Sequence, residues 1–127
     1  MERLTIAAKN LTPFIDLNPD ARTFLFQGES YPENVLSFYR PVLDWVRVYF
    51  DGLTRGTSTQ VQVSLRYMNT SSTKIFMMLF DLCQDAHRSG RPVTITWLHH
   101  REDELIREMG EDLSEGLEVP FRFLAEE

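Results

Sequence analysis

Cysteine is nearly absent: Cys83 is the only one in 127 residues, so neither a disulfide framework nor a cysteine-based zinc site can form within one chain. Basic residues are also in deficit. Thirteen Lys and Arg stand against 19 Asp and Glu, a net charge of −6, which argues against a nucleic-acid backbone or an anionic membrane surface as the partner. No apolar run is long enough to span a bilayer, and the first residues lack the basic, apolar and small-residue order of a signal peptide. A soluble protein of the reducing cytoplasm is the expectation, with no direct membrane insertion. There is no glycine-rich phosphate loop, no internal repeat, and no linker rich in Pro, Gly or Ser. Residues 1–127 should therefore fold as one domain, and 43% apolar and 12% aromatic residues suffice to fill its core.

What is present is a clear sequence of periods. Leu4 and Ile6, then Phe14, Ile15 and Leu17, then Phe24 and Phe26 suggest three short strands separated by Thr12-Pro13 and Asn18-Pro19-Asp20-Ala21. Ser30-Tyr31-Pro32-Glu33 reads as a capping box, Ser30 capping a helix and Glu33 returning a bond to the Ser30 backbone. The helix it opens carries an apolar stripe from Val35 to Phe50, and Pro41 within it predicts a bend between Ser37 and Pro41. Val61, Val63, Leu65 and Tyr67 alternate with polar residues as in a half-buried strand. From Ile75 to Ala86 apolar residues recur every three or four positions, an amphipathic helix ending near Ser89-Gly90. A strand follows with Val93, Ile95 and Trp97 on one face, then a helix from Glu102 to Ser114 with a strongly acidic outer face. Leu117, Val119, Phe121 and Phe123 close the chain as a strand in which Pro120 favours an edge or a bulge.

The order is βββαβαβαβ. Strands that alternate with helices need crossovers and hence pair in parallel, while the opening strands can form a hairpin. This places the chain in the α/β class, with a single mixed β-sheet and helices mainly on one face.

The segment Tyr67-Met68-Asn69-Thr70-Ser71-Ser72-Thr73-Lys74 sets four consecutive hydroxyls behind an Asn where strand periodicity gives way to helix periodicity. A helix entrance has unpaired N–H groups and the positive end of the dipole, so it suits either a capping oxygen or a phosphate. Capping alone would account for these residue types; a phosphorylatable switch is the functional alternative. Asn69 is placed to shape the turn through its side chain. Ser71, Ser72 and Thr73 either cap the helix or serve as alternative acceptors. Lys74, one turn beyond Thr70, can pair with a phosphate or remain a solvated lysine.

An enzyme is the competing reading. His99 and His100 precede Glu102, Asp103 and Glu104, and Asp81, Asp85 and His87 lie on the Thr70 helix, so a small metal-dependent enzyme using His99 and His100 has the atom types it needs. Neither group has a recognised ligand spacing, and adjacent strand residues point to opposite faces. Cys83 falls on an apolar helix face and is expected to be inert. A third reading is a constitutive protein-binding adaptor in which the hydroxyls are caps only.

Four segments taken together, Gly28-Glu29-Ser30-Tyr31-Pro32-Glu33-Asn34, Phe38-Tyr39-Arg40-Pro41-Val42-Leu43-Asp44-Trp45, residues 67–74, and Gly90-Arg91-Pro92-Val93, resemble the SiaC family of bacterial regulatory phosphoproteins nearly end to end. The SYPEN and NTSS stretches are the most specific. The resemblance implies a non-enzymatic, cofactor-free partner-switching protein with a STAS-like fold, similar to anti-sigma-factor antagonists. In such a system a protein serine/threonine kinase phosphorylates the threonine that aligns with Thr70, and a metal-dependent serine/threonine phosphatase removes the phosphate. The unphosphorylated form binds and activates a diguanylate cyclase, whose cyclic di-GMP promotes biofilm formation and aggregation. Tyr31, Pro32, Glu33 and Asn34 are the partner-binding candidates, with the first helix and the Thr70 helix as the partner face.

Overall fold

The computed structural model describes all residues from Met1 to Glu127. Strands β1 (Leu4–Ile6), β2 (Phe14–Asn18) and β3 (Thr23–Ser30) form an antiparallel meander. Helix α1 (Val35–Gly52) leads to β4 (Thr59–Met68), α2 (Thr70–Arg88) to β5 (Val93–His100), and α3 (Glu104–Ser114) to β6 (Phe121–Glu126). From β3 onward every pairing is parallel, and the six-stranded sheet keeps the order of the sequence, β1-β2-β3-β4-β5-β6. Each crossover thus steps one strand in the same direction, and right-handed crossovers then put all three helices on one face. Side-chain burial agrees. Ile15, Phe24, Phe26, Val61, Val63, Ile95 and Trp97 are fully buried, whereas Gln60, Gln62 and Arg66 on the opposite face are exposed.

The helix-covered side is aromatic. Phe24 meets Trp45, Tyr49 and Phe50 of α1; Phe26 and Tyr39 both contact Phe76 of α2; Phe80 packs edge-on to Trp97 and Phe121. Burying each such side chain is worth roughly 1.5–3 kcal/mol. Helix α3 is seated closely: a Cβ built on Gly110 would lie 2.6 Å from the Trp97 ring, and Trp97 Nε1 donates to the Ile106 carbonyl at 2.9 Å. Gln84 of α2, itself buried, accepts from the Glu118 N–H at 2.8 Å and ties down the segment entering β6.

Several local expectations change. The capping box does not form: the N-cap of α1 is Asn34, whose Oδ1 accepts from the Ser37 N–H at 3.1 Å. Ser30 ends β3 with its side chain in the core, and Glu33 is exposed. The reason is Pro32, which disfavours helical geometry at Tyr31 and delays the helix to Val35. The expectation at Pro41 is not among those that change: α1 runs through it without a break, and Pro41 and Ser37 both lie on the solvent side, where water can satisfy a loosened carbonyl. The last helix starts at Glu104 behind an Asp103 cap, and the last strand starts after Pro120 at the sheet edge.

Tyr67 also departs from the alternation. Gly28 pairs with Leu65 but Glu29 pairs with Tyr67, so Arg66 is an extra residue on β4. Such a bulge reverses the alternation beyond it. Met68 is consequently buried and Tyr67 is 45% exposed.

Candidate functional site

The bulge decides how β4 delivers the chain into α2. Asn69 donates its N–H to the Ser30 carbonyl at 3.1 Å, which fixes the end of β4 to the end of β3. Its Oδ1 accepts from the Ser72 N–H at 2.9 Å, and its carbonyl accepts from the Thr73 N–H at 3.0 Å and from Thr73 Oγ1 at 3.1 Å. Asn69 is thus the N-cap of α2. No acidic residue stands in the first turn, so the positive end of this helix has no carboxylate of its own to offset it.

The four hydroxyls are not equivalent. Ser72 is fully buried, and its Oγ bonds Ser30 Oγ at 2.8 Å; Ser30 Oγ in turn bonds the Tyr39 hydroxyl. This chain joins β3, α1 and α2 beneath the helix entrance, and burial pushes the Tyr39 phenol well above its ordinary range, keeping it neutral. Thr73 is half-buried and held by Asn69. Thr70 and Ser71, at the first two positions of α2, are exposed. Their N–H groups have no intrahelical partner. Lys74 is exposed one turn on.

Of the candidates near Tyr31, Pro32 is buried, Tyr31 is half-buried, and Glu33 and Asn34 are exposed. Tyr31 packs edge-on to Tyr67 with ring centres 5.1 Å apart. Partial desolvation and the Glu29 carboxylate push the Tyr31 phenol upward. Because Glu29 pairs with Tyr67 and Ser30 with Met68, the aromatic pair flanks the entrance to α2. Tyr67, which the period-two reading turned inward, thus lies exposed beside this entrance; a register shift leaves no mark in one strand's own pattern.

The histidines take separate places. His99 is buried and His100 exposed, on opposite faces of β5. His100 Nδ1 accepts from the Glu102 N–H at 3.2 Å, and His87 Nδ1 accepts from the Val93 N–H at 3.1 Å. No three His, Cys, Asp or Glu side chains converge where an ion would sit. Burial pushes the Cys83 thiol up to about 12, far from the thiolate that nucleophilic chemistry needs. No helix is long and apolar enough to cross a membrane.

A groove of about 430 Å³ opens between α2 and α3, and Thr70 lies at its α2 N-terminal end. Thr73, Met77 and Phe80 continue along α2, opposite Met109, Leu113 and Leu117.

The entrance to α2 thus exposes two hydroxyls, Thr70 and Ser71, and locks Ser72 and Thr73 inside, on a single mixed α/β sheet domain. The family model described as SiaC family regulatory phosphoprotein matches residues 6–126, and the chain belongs to the SiaC family. It is 35% identical over 125 residues to an uncharacterized protein of Pseudomonas aeruginosa strain UCBPP-PA14, covering 98% of both chains. Its fold superposes with a TM-score of 0.91 on apo-SiaC of Pseudomonas aeruginosa, at 34% identity over 98% of this chain and 100% of that one. The same score and identity relate it to SiaC in the crystal structure of the Pseudomonas aeruginosa diguanylate cyclase SiaD with its activator SiaC, over 97% of this chain and 99% of that one.

Proposed function

We propose that this chain is a non-enzymatic regulator that binds and activates a diguanylate cyclase when unphosphorylated and is switched off by phosphorylation of Thr70. A protein serine/threonine kinase adds the phosphate and a metal-dependent serine/threonine phosphatase removes it. The observation that carries this reading is the division of the hydroxyl run. Ser72 and Thr73 are engaged in the fold, while Thr70 and Ser71 are exposed at the positive end of α2; of these two, Thr70 is the one that aligns with the threonine of the SiaC family. The relative's complex with its cyclase supports the kind of partner.

Phosphorylation would add roughly −1.5 to −2 charges and three acceptor oxygens. Within the monomer the free N–H groups and dipole favour an anion there by about 0.3–1 kcal/mol, so the fold survives. Under a partner the same group must be desolvated, at a cost of several kcal/mol. Each 1.4 kcal/mol is about tenfold in affinity, so one phosphate is enough to abolish micromolar binding. A cytoplasmic site of action and cyclic di-GMP output controlling biofilm and aggregation follow from these partners.

The test is site mapping by mass spectrometry of the protein purified from its own cells, with and without phosphatase, alongside cyclase assays with the purified unmodified and phosphorylated forms. Phosphate on Thr70 that ends cyclase stimulation is the expected result. Stimulation that is identical for the two forms, or a Thr70→Ala variant still phosphorylated at Ser71 and switched normally, would overturn the assignment. The constitutive adaptor predicts that no phosphate is found on the protein from its own cells.

A further inference from the structure

We propose that the free edge of β6 pairs antiparallel with the same edge of a second copy of this chain, in the register that sets Leu124 against Leu124 and Arg122 against Glu126. The sheet ends at β1 and β6, and the two ends differ. Strand β1 is three residues long, and Arg3 just before it is clamped onto Asp16. Shortness leaves little of that edge to template another strand. Strand β6 runs for six residues, pairs with β5 without a register shift, and carries neither proline nor lysine. Its only guard is charge, Arg122 and Glu126, and the two have opposite sign.

Backbone bonding fixes which residues of β6 face outward. Ile95 donates its N–H to the Pro120 carbonyl and Arg101 to the Glu126 carbonyl, each at 2.9 Å. Residues along a parallel strand bond alternately to one side and the other, so the even-numbered residues of β6 face β5. Phe121, Phe123 and Ala125 turn their N–H and C=O groups to the open edge. In the proposed register Phe123 of one copy stands opposite Ala125 of the other, and the two exchange both hydrogen bonds. The even-numbered residues then form the non-hydrogen-bonded pairs, whose Cα atoms approach to about 4.5 Å and whose side chains lie closest.

The side chains select that register. Arg122, Leu124 and Glu126 share the uncovered face of the sheet and are all exposed, Leu124 by 54%. Centring the pair on Leu124 covers each leucine with the other and sets every Arg122 directly across from a Glu126, a stabilising cross-strand pair. Centring it on Arg122 or on Glu126 opposes like charges instead. Centring it on Phe123 or Ala125 leaves Arg122 without a carboxylate. Arg122 enters none of the five ion pairs within the chain. One carboxylate oxygen of Glu126 accepts from the Ser64 hydroxyl at 2.9 Å, and the second is available to Arg122 of the other copy. On the helix-covered face the half-buried Phe123 gains cover from Ala125. The axis relating the copies stands perpendicular to the sheet, so all helices stay on one side and Thr70, on α2, lies away from the contact. The inference therefore does not rest on the proposed function.

The test is sedimentation velocity on the full chain over a rising concentration series, with amide hydrogen exchange on the same samples. Contact through two short strands is at the small end of specific interfaces, so a concentration-dependent dimer is the expected species. Arg122→Glu and Glu126→Arg, each alone, should weaken it roughly tenfold or more, because each opposes like charges twice. The double variant Arg122→Glu with Glu126→Arg should regain the parental affinity, and so should an equimolar mixture of the two single variants. Leu124→Lys, at an exposed position, puts two like charges at the axis and should abolish the dimer. In the parent, the Phe123 and Ala125 amides should become slow to exchange as dimer forms. A chain that stays monomeric at millimolar concentration would overturn the proposal and leave the edge to a strand of another protein. A dimer indifferent to Arg122→Glu, a double variant no better than the single ones, or Phe123 and Ala125 amides that exchange freely within the dimer would overturn it equally.

Discussion

Helices α2 and α3 lie side by side on the same face of the sheet and border one groove, yet they are held by different forces. Helix α2 has eight buried residues along its 19, and its entrance is positioned by directional polar links: the Asn69 cap, the Asn69–Ser30 backbone bond and the Ser72–Ser30–Tyr39 hydroxyl chain. Helix α3 buries only Ile106, Gly110 and Leu113 and sits by steric fit against Trp97. Hydrogen bonds specify orientation at a modest net gain, while a close backbone approach tolerates almost no change in volume. One wall of the groove is therefore set by polarity at its tip and the other by shape at its middle.

The steric side of that contrast breaks most readily. Gly110→Ala places a methyl group within the Trp97 ring contact, and α3 must shift or the core must repack, at about 1–3 kcal/mol. Urea unfolding should show a lowered midpoint, and an unchanged midpoint would mean that α3 is not held by fit. The polar side predicts a smaller loss with a specific signature. Ser72→Ala should cost roughly 1 kcal/mol, and Tyr39→Phe a similar amount. Because Ser30 bridges the two hydroxyls, the double variant should be non-additive by about 0.5 kcal/mol or more. Strict additivity would show that the chain does not act as a unit.

The comparison sharpens further within the hydroxyl run. Asn69→Ala removes the α2 cap and should cost about 1 kcal/mol, whereas Thr70→Ala, at an exposed position beside it, should stay within about 0.5 kcal/mol. Thermal unfolding of the two variants side by side checks both. The smallest effect lies away from either helix. Arg3 bonds Asp16 through both carboxylate oxygens, at 2.7 and 2.6 Å, and this pairing holds the Asp16 carboxyl below its ordinary range. A depressed folded value stabilises the fold above the unfolded aspartate range near pH 4, and that stabilisation is lost as pH falls through the folded value. Asp16→Asn should thus be slightly less stable than the parent near pH 7 and converge with it in acid, with the groove unaffected at both pH values. A gap that persists in acid would remove the ion pair as its cause.

Most of the architecture was legible because it rests on periods. The alternation at Val61, Val63 and Leu65 and the helical spacing from Ile75 to Ala86 are local, and the switch between them marks the α2 entrance without any tertiary information. The need for crossovers then implied parallel pairing. What escaped were features settled by a partner far away in sequence. The bulge at Arg66 depends on the register with Gly28 and Glu29, so Tyr67 and Met68 exchanged faces. Ser30 looked like a cap because its other use, bonding Ser72 42 positions on, exists only once β3 and α2 meet. The same contact sorts the hydroxyls that composition leaves equal. The acidic face of α3 was readable, but the apolar floor beneath it belongs jointly to two helices and to neither sequence alone.

The strictly sequential strand order has a consequence for how the chain comes into being. No strand is inserted between two earlier ones, so the topology allows assembly by addition at a single growing edge, with nothing formed early to be displaced later. During synthesis, when the N-terminal part folds first, β3 and the α1 stripe are already present to receive β4 and the Ser72 hydroxyl. Every group that holds the turn at Thr70, namely Asn69, Ser72, Ser30 and Tyr39, precedes in the chain the helix that completes the opposite wall.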